Sequence, residues 1–291
     1  MDRPLTEPLP EAARRRHAAP VLHHGDCLQV LPTLPAGSVD LVVTSPPYNL
    51  GIRYRSFDDT AGRGDFLDWC RVWAAELKRV LADDGSFFLN IGASPSNPLL
   101  PHQLVIAFTE GQDPLFTLQN TFHWIKSITV ETRRGEQVSA GHFKPINSKR
   151  YVNDCHEYVF HLTKSGAVTL DRRAAGVPYQ DKSNIARWGH TGGIDRRCRG
   201  NTWFIPYDTI VSRDKERPHP ASFPVALVEQ CILLHGKGPA TRLLDPFLGI
   251  GSSALAAKRQ GVAAFTGIEL DDHYLAVAKA RLEEAAGRES A

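Results

Sequence analysis

The fold is decided at residues 242–269, RLLDPFLGIGSSALAAKRQGVAAFTGIE. An aliphatic run ends on Asp245, two glycines follow at Gly249 and Gly251, and SSALAAKRQG (252–261) reads as a helix. A second apolar run, AAFTGIE (263–269), closes on Glu269. Strand, glycine turn, helix, strand is one unit of an α/β sheet. Glycine in the turn lets the backbone bend tightly and lets a ligand approach the main chain. Twenty residues beyond Gly249, the Glu269 carboxylate ends a strand, where it can hold both hydroxyls of a ribose. A cofactor containing a nucleoside is expected.

The same alternation extends outward from this unit. APVLHHGD (19–26) predicts a short strand, SVDLVVT (38–44) and SFFLNIG (86–92) buried strands, and NTFHWIKSITV (120–130) and CHEYVFHLTK (155–164) later ones. DFLDWCRVWAAELKRVLADDG (65–85) predicts a helix, capped by Asp65 and ended by Gly85, with Phe66, Trp69, Cys70, Trp73, Leu77 and Val80 recurring at helical spacing. FPVALVEQCILLHG (223–236) reads as an amphipathic helix and DHYLAVAKARLEEA (272–285) as a closing one. Unbroken apolar strands alternating with helices argue for a parallel sheet covered on both faces.

From Lys164 to Arg217 the periodicity lapses. That stretch holds eleven Lys/Arg against six Asp/Glu, a local +5 in a chain of 291 residues whose net charge is +2. A nucleic-acid partner would meet this patch and not a globally basic surface. The expected organisation is an N-terminal arm (1–18), one catalytic domain (19–163 and 218–287) and an inserted recognition region (164–217). The five cysteines are scattered without CxxC spacing, which argues against a disulfide framework and a zinc site and fits a reducing cytoplasm. No metal role falls to the histidines. The opening MDRPLTEPLPEAARRRH lacks the apolar core of a signal peptide, and no apolar run is long enough to span a membrane.

A second stretch carries chemistry. LVVTSPPYN (41–49) stops a buried strand on Ser45-Pro46-Pro47-Tyr48. The exocyclic amine of a nucleobase is a poor nucleophile, because its lone pair is delocalised into the ring. Ser45 offers a hydroxyl oxygen and Pro46 a carbonyl to accept the amine hydrogens. The prolines fix the turn and bring no competing N–H, and Tyr48 offers a flat face for stacking, worth roughly 1–3 kcal/mol. In an open parallel sheet this turn and the glycine turn both lie at carboxyl ends of strands, where ligands bind. Gly249-x-Gly251-x-x-Ala254 also meets the loose dinucleotide fingerprint. Asp245 ahead of the glycines, and the short remainder of chain, favour the cationic S-adenosylmethionine over a pyrophosphate.

TSPPY followed much later by DPFLGIG resembles the amino-methylating DNA methyltransferases, in the circularly permuted (beta) group whose catalytic motif precedes its cofactor motif. HHGDCLQVLPTLPAGSVDLVVTSPPYN is similar to that family's opening, and HPASFPVALVEQCI to its helix before the glycine turn. The resemblance implies a Rossmann-like S-adenosylmethionine-dependent fold with a mostly parallel seven-stranded sheet. It implies a cofactor site of Asp26, Cys27, His219, Ala221, Phe223, Asp245, Pro246, Phe247, Gly249, Gly251, Ser252, Glu269 and Leu270. The basic stretch sits where the family keeps target recognition, so Arg172, Arg173, Lys182, Arg187, Arg196, Arg197 and Arg199 are the candidate DNA contacts. Serine at the first position of SPPY resembles the cytosine-N4 branch more than the adenine-N6 branch; adenine stays open. Cytosine-C5 chemistry is disfavoured, since it needs a cysteine nucleophile following a proline and none is present.

The expected partners are double-stranded DNA and a cognate restriction endonuclease, with the protein acting as a monomer or homodimer in the cytoplasm, at the nucleoid. Two other classes remain: a methyltransferase of RNA or protein, and a DNA-binding module without catalysis. Asp26 reads equally as cofactor contact and helix N-cap, Asp271 equally as ribose contact and N-cap, and Trp188 and Trp203 more readily as packing than as wedges.

Overall fold

The computed structural model describes residues 19–289 except Arg53, Ser96, 132–136, 142–147 and 207–221. The expected N-terminal arm lies outside the described residues. In chain order the elements are β1 (Val21–His24), α1 (Cys27–Val30), β2 (Val39–Thr44), α2 (Arg63–Val80), β3 (Leu81–Ile91), α3 (Leu100–Thr109), β4 (Thr117–Glu131), β5 (Gln137–Gly141), β6 (His156–Thr163), α4 (Ser183–Arg187), β7 (Thr202–Pro206), α5 (Val225–His235), β8 (Arg242–Asp245), α6 (Ser252–Arg259), β9 (Ala264–Glu269) and α7 (Asp272–Glu289).

The sheet order is β1-β9-β8-β2-β3-β6-β4-β5, with β7 paired to β4. This corrects the expected seven strands: among the described residues the sheet has nine, in two halves, and five of its eight pairings are parallel. From β1 to β3 every pair is parallel. Beyond β3 the pairs β3–β6, β6–β4 and β4–β5 are antiparallel, and β7 alone returns parallel to β4. For the pair β4–β5 the physical reason is connection length. A few residues between β4 and β5 permit a hairpin but not the crossover a parallel pair requires. Neither QVSAG nor TWFIP carries enough apolar period to announce β5 or β7 beforehand.

Strand β2 is buried along its whole length because both its faces are covered. Leu41 and Val43 join the core that α5, α6 and α7 close, while Val42 joins the core beneath α1, α2 and α3. Period-two alternation thus divides one apolar run between two cores. Trp73, fully buried on α2, packs edge-on against Phe87, Phe108 and Phe247, linking helix, sheet and glycine turn.

Three local expectations change. Gly62 caps α2 and Asp65 lies inside its first turn. Gly85 does not end that helix. It sits in β3, where the register against β2 jumps from Val39↔Leu81 to Leu41↔Ser86, and a Cβ there would come 2.7 Å from the Leu81 side chain. Helix α5 is buried almost all round and not amphipathic, with even Glu229, Gln230 and His235 enclosed. The cause is the inserted stretch, which packs on it: Asp171 N–H donates to Leu234 O and Gln230 Nε2 to Ala175 O. The described part of that stretch shares the main core. Trp203 of β7 is buried and stacks on Phe122 at 4.3 Å.

Candidate active site

Strand order reverses between β8 and β2: β8 leads by α6 to β9 on one side, β2 by α2 to β3 on the other. Ligands favour the crevice at such a switch. Here the two corners are bonded directly. Thr44, the last residue of β2, donates its hydroxyl to Asp245 Oδ1, the last residue of β8, at 2.6 Å across 201 residues of sequence. A cleft opens above this bond, with about 990 Å³ of empty space counting the part open to solvent. Ser45, Pro46, Pro47 and Tyr48 line it together with Gly25, Asp26, Cys27, Phe223, Pro246, Phe247, Gly249, Ser252, Glu269 and Leu270.

Most of the expected residues therefore meet at one place, but in different roles. Asp245 is fully buried beneath the cleft and does not line it. Its oxygens are taken by Thr44, by the Ser253 hydroxyl at 2.5 Å and by the Phe247 N–H at 3.1 Å. Burial pushes its pKa up to about 6 against those three hydrogen bonds. Gly249 and Gly251 adopt φ of 54° and 80°, the left-handed region that favours glycine. Gly249 faces the cleft, whereas Gly251 faces α7, where a Cβ would meet the Ala278 Cβ at 2.9 Å. Asp26 is the N-cap of α1, accepting from Leu28 N–H at 2.9 Å, and also lines the cleft. The Cys27 thiol is pushed up to about 12, by burial first and by Asp26 beside it. His219 and Ala221 lie outside the described residues.

Glu269 knits the cofactor corner together. Its Oε2 accepts from Gly249 N–H at 2.7 Å and its Oε1 from Asp271 N–H at 2.9 Å, while burial raises its pKa. Asp271 caps α7 through His273 and Tyr274 N–H and holds Ser56 Oγ at 2.6 Å. Burial raises its pKa, but these bonds and Arg55 outweigh that, so the net direction is down.

Sequence reasoning overlooked the segment after Tyr48. Tyr54, Ser56 and Phe57 also line the cleft, and Phe57 packs on Trp69 at 5.3 Å. The buried carboxylate of Asp59 shapes this segment by accepting from the N–H groups of Asn49, Leu50 and Ile52 at 2.7–3.0 Å. Asn49 takes a left-handed φ of 52°, and its side chain reaches Ala61 O at 2.8 Å, so its role is in the turn. The aspartates in RSFDDT, Asp58 and Asp59, were the available signal.

Behind the Ser-Pro-Pro-Tyr turn lies a polar group that was also overlooked. Ser45 Oγ is 2.7 Å from Tyr48 Oη, and Tyr48 donates to Glu157 Oε2 at 2.9 Å. Asn90 Nδ2 lies 2.7 Å from both Tyr48 Oη and Glu157 Oε2, and Lys126 Nζ 2.7 Å from Glu157 Oε1. The signal was a lone Asn in SFFLNIG and a lone Glu in HEYVFHLT, polar residues inside apolar strands.

The basic candidates are placed as follows. Arg172, Arg173, Lys182, Arg187, Arg196 and Arg197 are exposed. Arg196 and Arg199 donate to the carbonyls of Gly176 and Ala175 at 3.0 and 3.2 Å, Lys182 pairs with Asp195, and Arg187 lies over the exposed Trp188 ring. Among the described residues no cluster of His, Cys, Asp and Glu could hold a metal ion, and no helix is long and apolar enough to cross a membrane.

Sheet order, and a cleft at the switch joining an acidic strand end to a Ser-Pro-Pro-Tyr turn, define a Rossmann-like methyltransferase. The chain belongs to the DNA methylase family N6_N4_Mtase, whose model matches residues 39–280. It is 29% identical over 272 residues to the type II methyltransferase M.ScaI of Streptomyces caespitosus, covering 90% of this chain and 81% of that one. It is 28% identical over 280 residues to the DNA adenine methyltransferase YhdJ of Escherichia coli K12, covering 94% and 86%. In fold it resembles the cytosine-N4-specific PvuII DNA methyltransferase, with a TM-score of 0.65 at 20% identity over 91% of this chain and 86% of that one. It also resembles TTHA0409 of Thermus thermophilus complexed with S-adenosyl-L-methionine, with a TM-score of 0.58 at 24% identity over 90% and 93%.

Proposed function

We propose that this DNA methyltransferase modifies the exocyclic N4 of cytosine at a specific site in duplex DNA, on a base turned out of the helix. The methyl donor is S-adenosyl-L-methionine. When bound, it supplies a methyl group on a cationic sulfur. The cleft suits that charge: Asp26, Glu269 and Asp271 line it, and among the described residues no Lys or Arg does, the guanidinium of Arg55 lying 3.5 Å from Asp271. Glu269 would hold the ribose, Phe223 and Phe247 would flank the adenine, and Asp26 would complete the acidic lining.

The observation that carries the reading is the 2.6 Å bond between Thr44 and Asp245, which ties the acceptor turn to the cofactor turn. Ser45 Oγ and the Pro46 carbonyl would accept the hydrogens of the target amine, freeing its lone pair, while the Tyr48 ring would stack on the base. Fixed geometry then does most of the catalytic work. Serine at position 45 favours cytosine N4 over adenine N6. The inserted stretch, through Arg172, Arg173, Lys182, Arg187, Arg196, Arg197 and Arg199, would make the phosphate and base contacts. The chain would act in a prokaryotic cytoplasm as the modification half of a restriction system, a reading that the type II name of M.ScaI supports.

The test is incubation with a tritiated methyl donor and plasmid from a host lacking DNA methylation, followed by digestion to nucleosides. Label in N4-methylcytosine is expected. Label in N6-methyladenine alone would overturn the base assignment, and no label in DNA would overturn the activity.

A further inference from the structure

Glu157 stands directly behind the acceptor turn, buried on β6. An ionised carboxylate only accepts hydrogen bonds, and here the donors are Tyr48 Oη–H at 2.9 Å and Asn90 Nδ2–H at 2.7 Å on Oε2, with Lys126 Nζ 2.7 Å from Oε1. A phenol has one hydrogen. Once it is given to Glu157, the 2.7 Å bond between Tyr48 and Ser45 can be donated only by Ser45. Asn90 reinforces this direction, since its Nδ2 also donates to Tyr48 Oη at 2.7 Å and occupies an acceptor position there. The serine hydrogen therefore points inward, and Ser45 Oγ, which Asn90 Nδ2 also approaches at 3.5 Å, keeps a lone pair for the cleft. Without that constraint the hydroxyl could turn its hydrogen toward the target amine and repel it.

We propose, on the reading of the site given above, that Glu157 is the positioning residue of the transfer: it sets the direction of the Ser45–Tyr48–Glu157 hydrogen-bond chain and receives the proton that the target amine must lose. In the step, the amine nitrogen forms a bond to the methyl carbon with its lone pair, and the carbon–sulfur bond breaks with its electron pair left on sulfur. The surplus amine proton passes to Ser45 Oγ, the serine proton to Tyr48 Oη, and the tyrosine proton to Glu157 Oε2. Ser45 and Tyr48 end unchanged and Glu157 ends neutral, so atoms and charge balance. A serine can thereby accept a proton although it is a weak base, because the carboxylate that takes it lies two hydrogen bonds away.

Glu157→Gln is nearly isosteric but can donate to Tyr48, reversing the chain. The expected result is a fall of roughly 100-fold in the single-turnover methylation rate of plasmid DNA, the scale of a lost proton-transfer path. Three further readouts identify the relay. S-adenosylhomocysteine should raise the melting temperature of wild type and variant equally. Glu157→Asp should recover part of the rate. Tyr48→Phe, which keeps the ring, should match the loss, and the Tyr48→Phe/Glu157→Gln double variant should be no slower than either single one. A Glu157→Gln rate within about twofold of wild type, or losses that multiply in the double variant, overturns the relay. An altered response to S-adenosylhomocysteine would assign Glu157 a structural role and overturn it equally. If Glu157→Gln does not fold, Tyr48→Phe decides alone, since a wild-type rate there breaks the chain. Wild-type protein that leaves DNA unlabelled would instead overturn the function proposed above, and so separates the two failures.

Discussion

Asp245 illustrates how a single side chain carries the weight of two turns. Its carboxylate is buried, and the hydroxyls of Thr44 and Ser253 partly offset the cost of that burial. Burial still raises its pKa from 3.8 to about 6, so the folded protein holds this proton more tightly than the unfolded chain. An acid shifted in that direction favours folding at low pH, and its contribution is lost as pH rises through the folded pKa. Stability from this group should therefore fall by roughly 2–3 kcal/mol between about pH 4 and about pH 6 and stay level above. Asp245→Asn keeps the shape and has no proton to lose. Urea unfolding of both proteins across that window should show the difference in slope; parallel curves would mean that Asp245 is ionised throughout. The sequence made this residue prominent but not its direction. A strand-end carboxylate can face a ligand or the floor beneath it, and the pleat that decides lies in coordinates, not in the string LLDP. Gly249 and Glu269 were legible because a turn needing φ > 0, and an acid closing the next strand, constrain the backbone itself. Glu157 and Asn90 were not, since their meaning arises only where β3 and β6 pair, Asn90 against Val159 and Ile91 against Tyr158.

At the scale of elements, the parallel half was readable, and in the antiparallel half β4 and β6 were expected as strands while β5 and β7 were not. Strand β2 is a fully buried run rich in β-branched and aliphatic residues, β8 and β9 are short apolar runs on either side of the glycine turn and its helix, and such runs declare themselves. Strand β7 is five residues, TWFIP, in a segment rich in Gly and Arg, and its identity comes from pairing with β4 over His123–Ser127. Long-range pairing overrides weak local preference there. Trp203 is the anchor of that pairing: it is buried, it stacks on Phe122, and its Nε1–H donates to Gly200 O at 3.1 Å. Trp203→Ala should cost about 3–5 kcal/mol, the usual penalty for emptying a large aromatic site in a core. Denaturant unfolding followed by circular dichroism should show one transition shifted to lower denaturant, because β7 belongs to the common sheet. A separate early transition confined to the insert would show instead that this stretch folds as a unit of its own.

Over the whole molecule, charge is distributed so that attraction to a polyanion must be local. The chain carries +2 in total, while the stretch from Lys164 to Arg217 carries +5. Ion pairing within the insert reduces what is available: Lys182 is held by Asp195, and Arg196 and Arg199 are partly used to bind carbonyls of their own loop. Arg172, Arg173 and Arg197 are exposed on the same stretch and, on the function proposed above, are candidate contacts to the phosphate backbone. Binding to duplex DNA should therefore weaken with salt, log Kobs falling against log salt with a slope of about −0.9 per phosphate neutralised. Replacing Arg172, Arg173 and Arg197 by Gln should flatten that slope by about one unit for each side chain that touches a phosphate, with similar losses on specific and random sequences. A side chain that reads a base would behave differently, reducing affinity only for the methylated site and leaving the slope unchanged. Fluorescence anisotropy titrations at several salt concentrations, with target and scrambled duplexes, separate these outcomes. A slope unmoved by all three replacements would place the DNA on another face of the molecule.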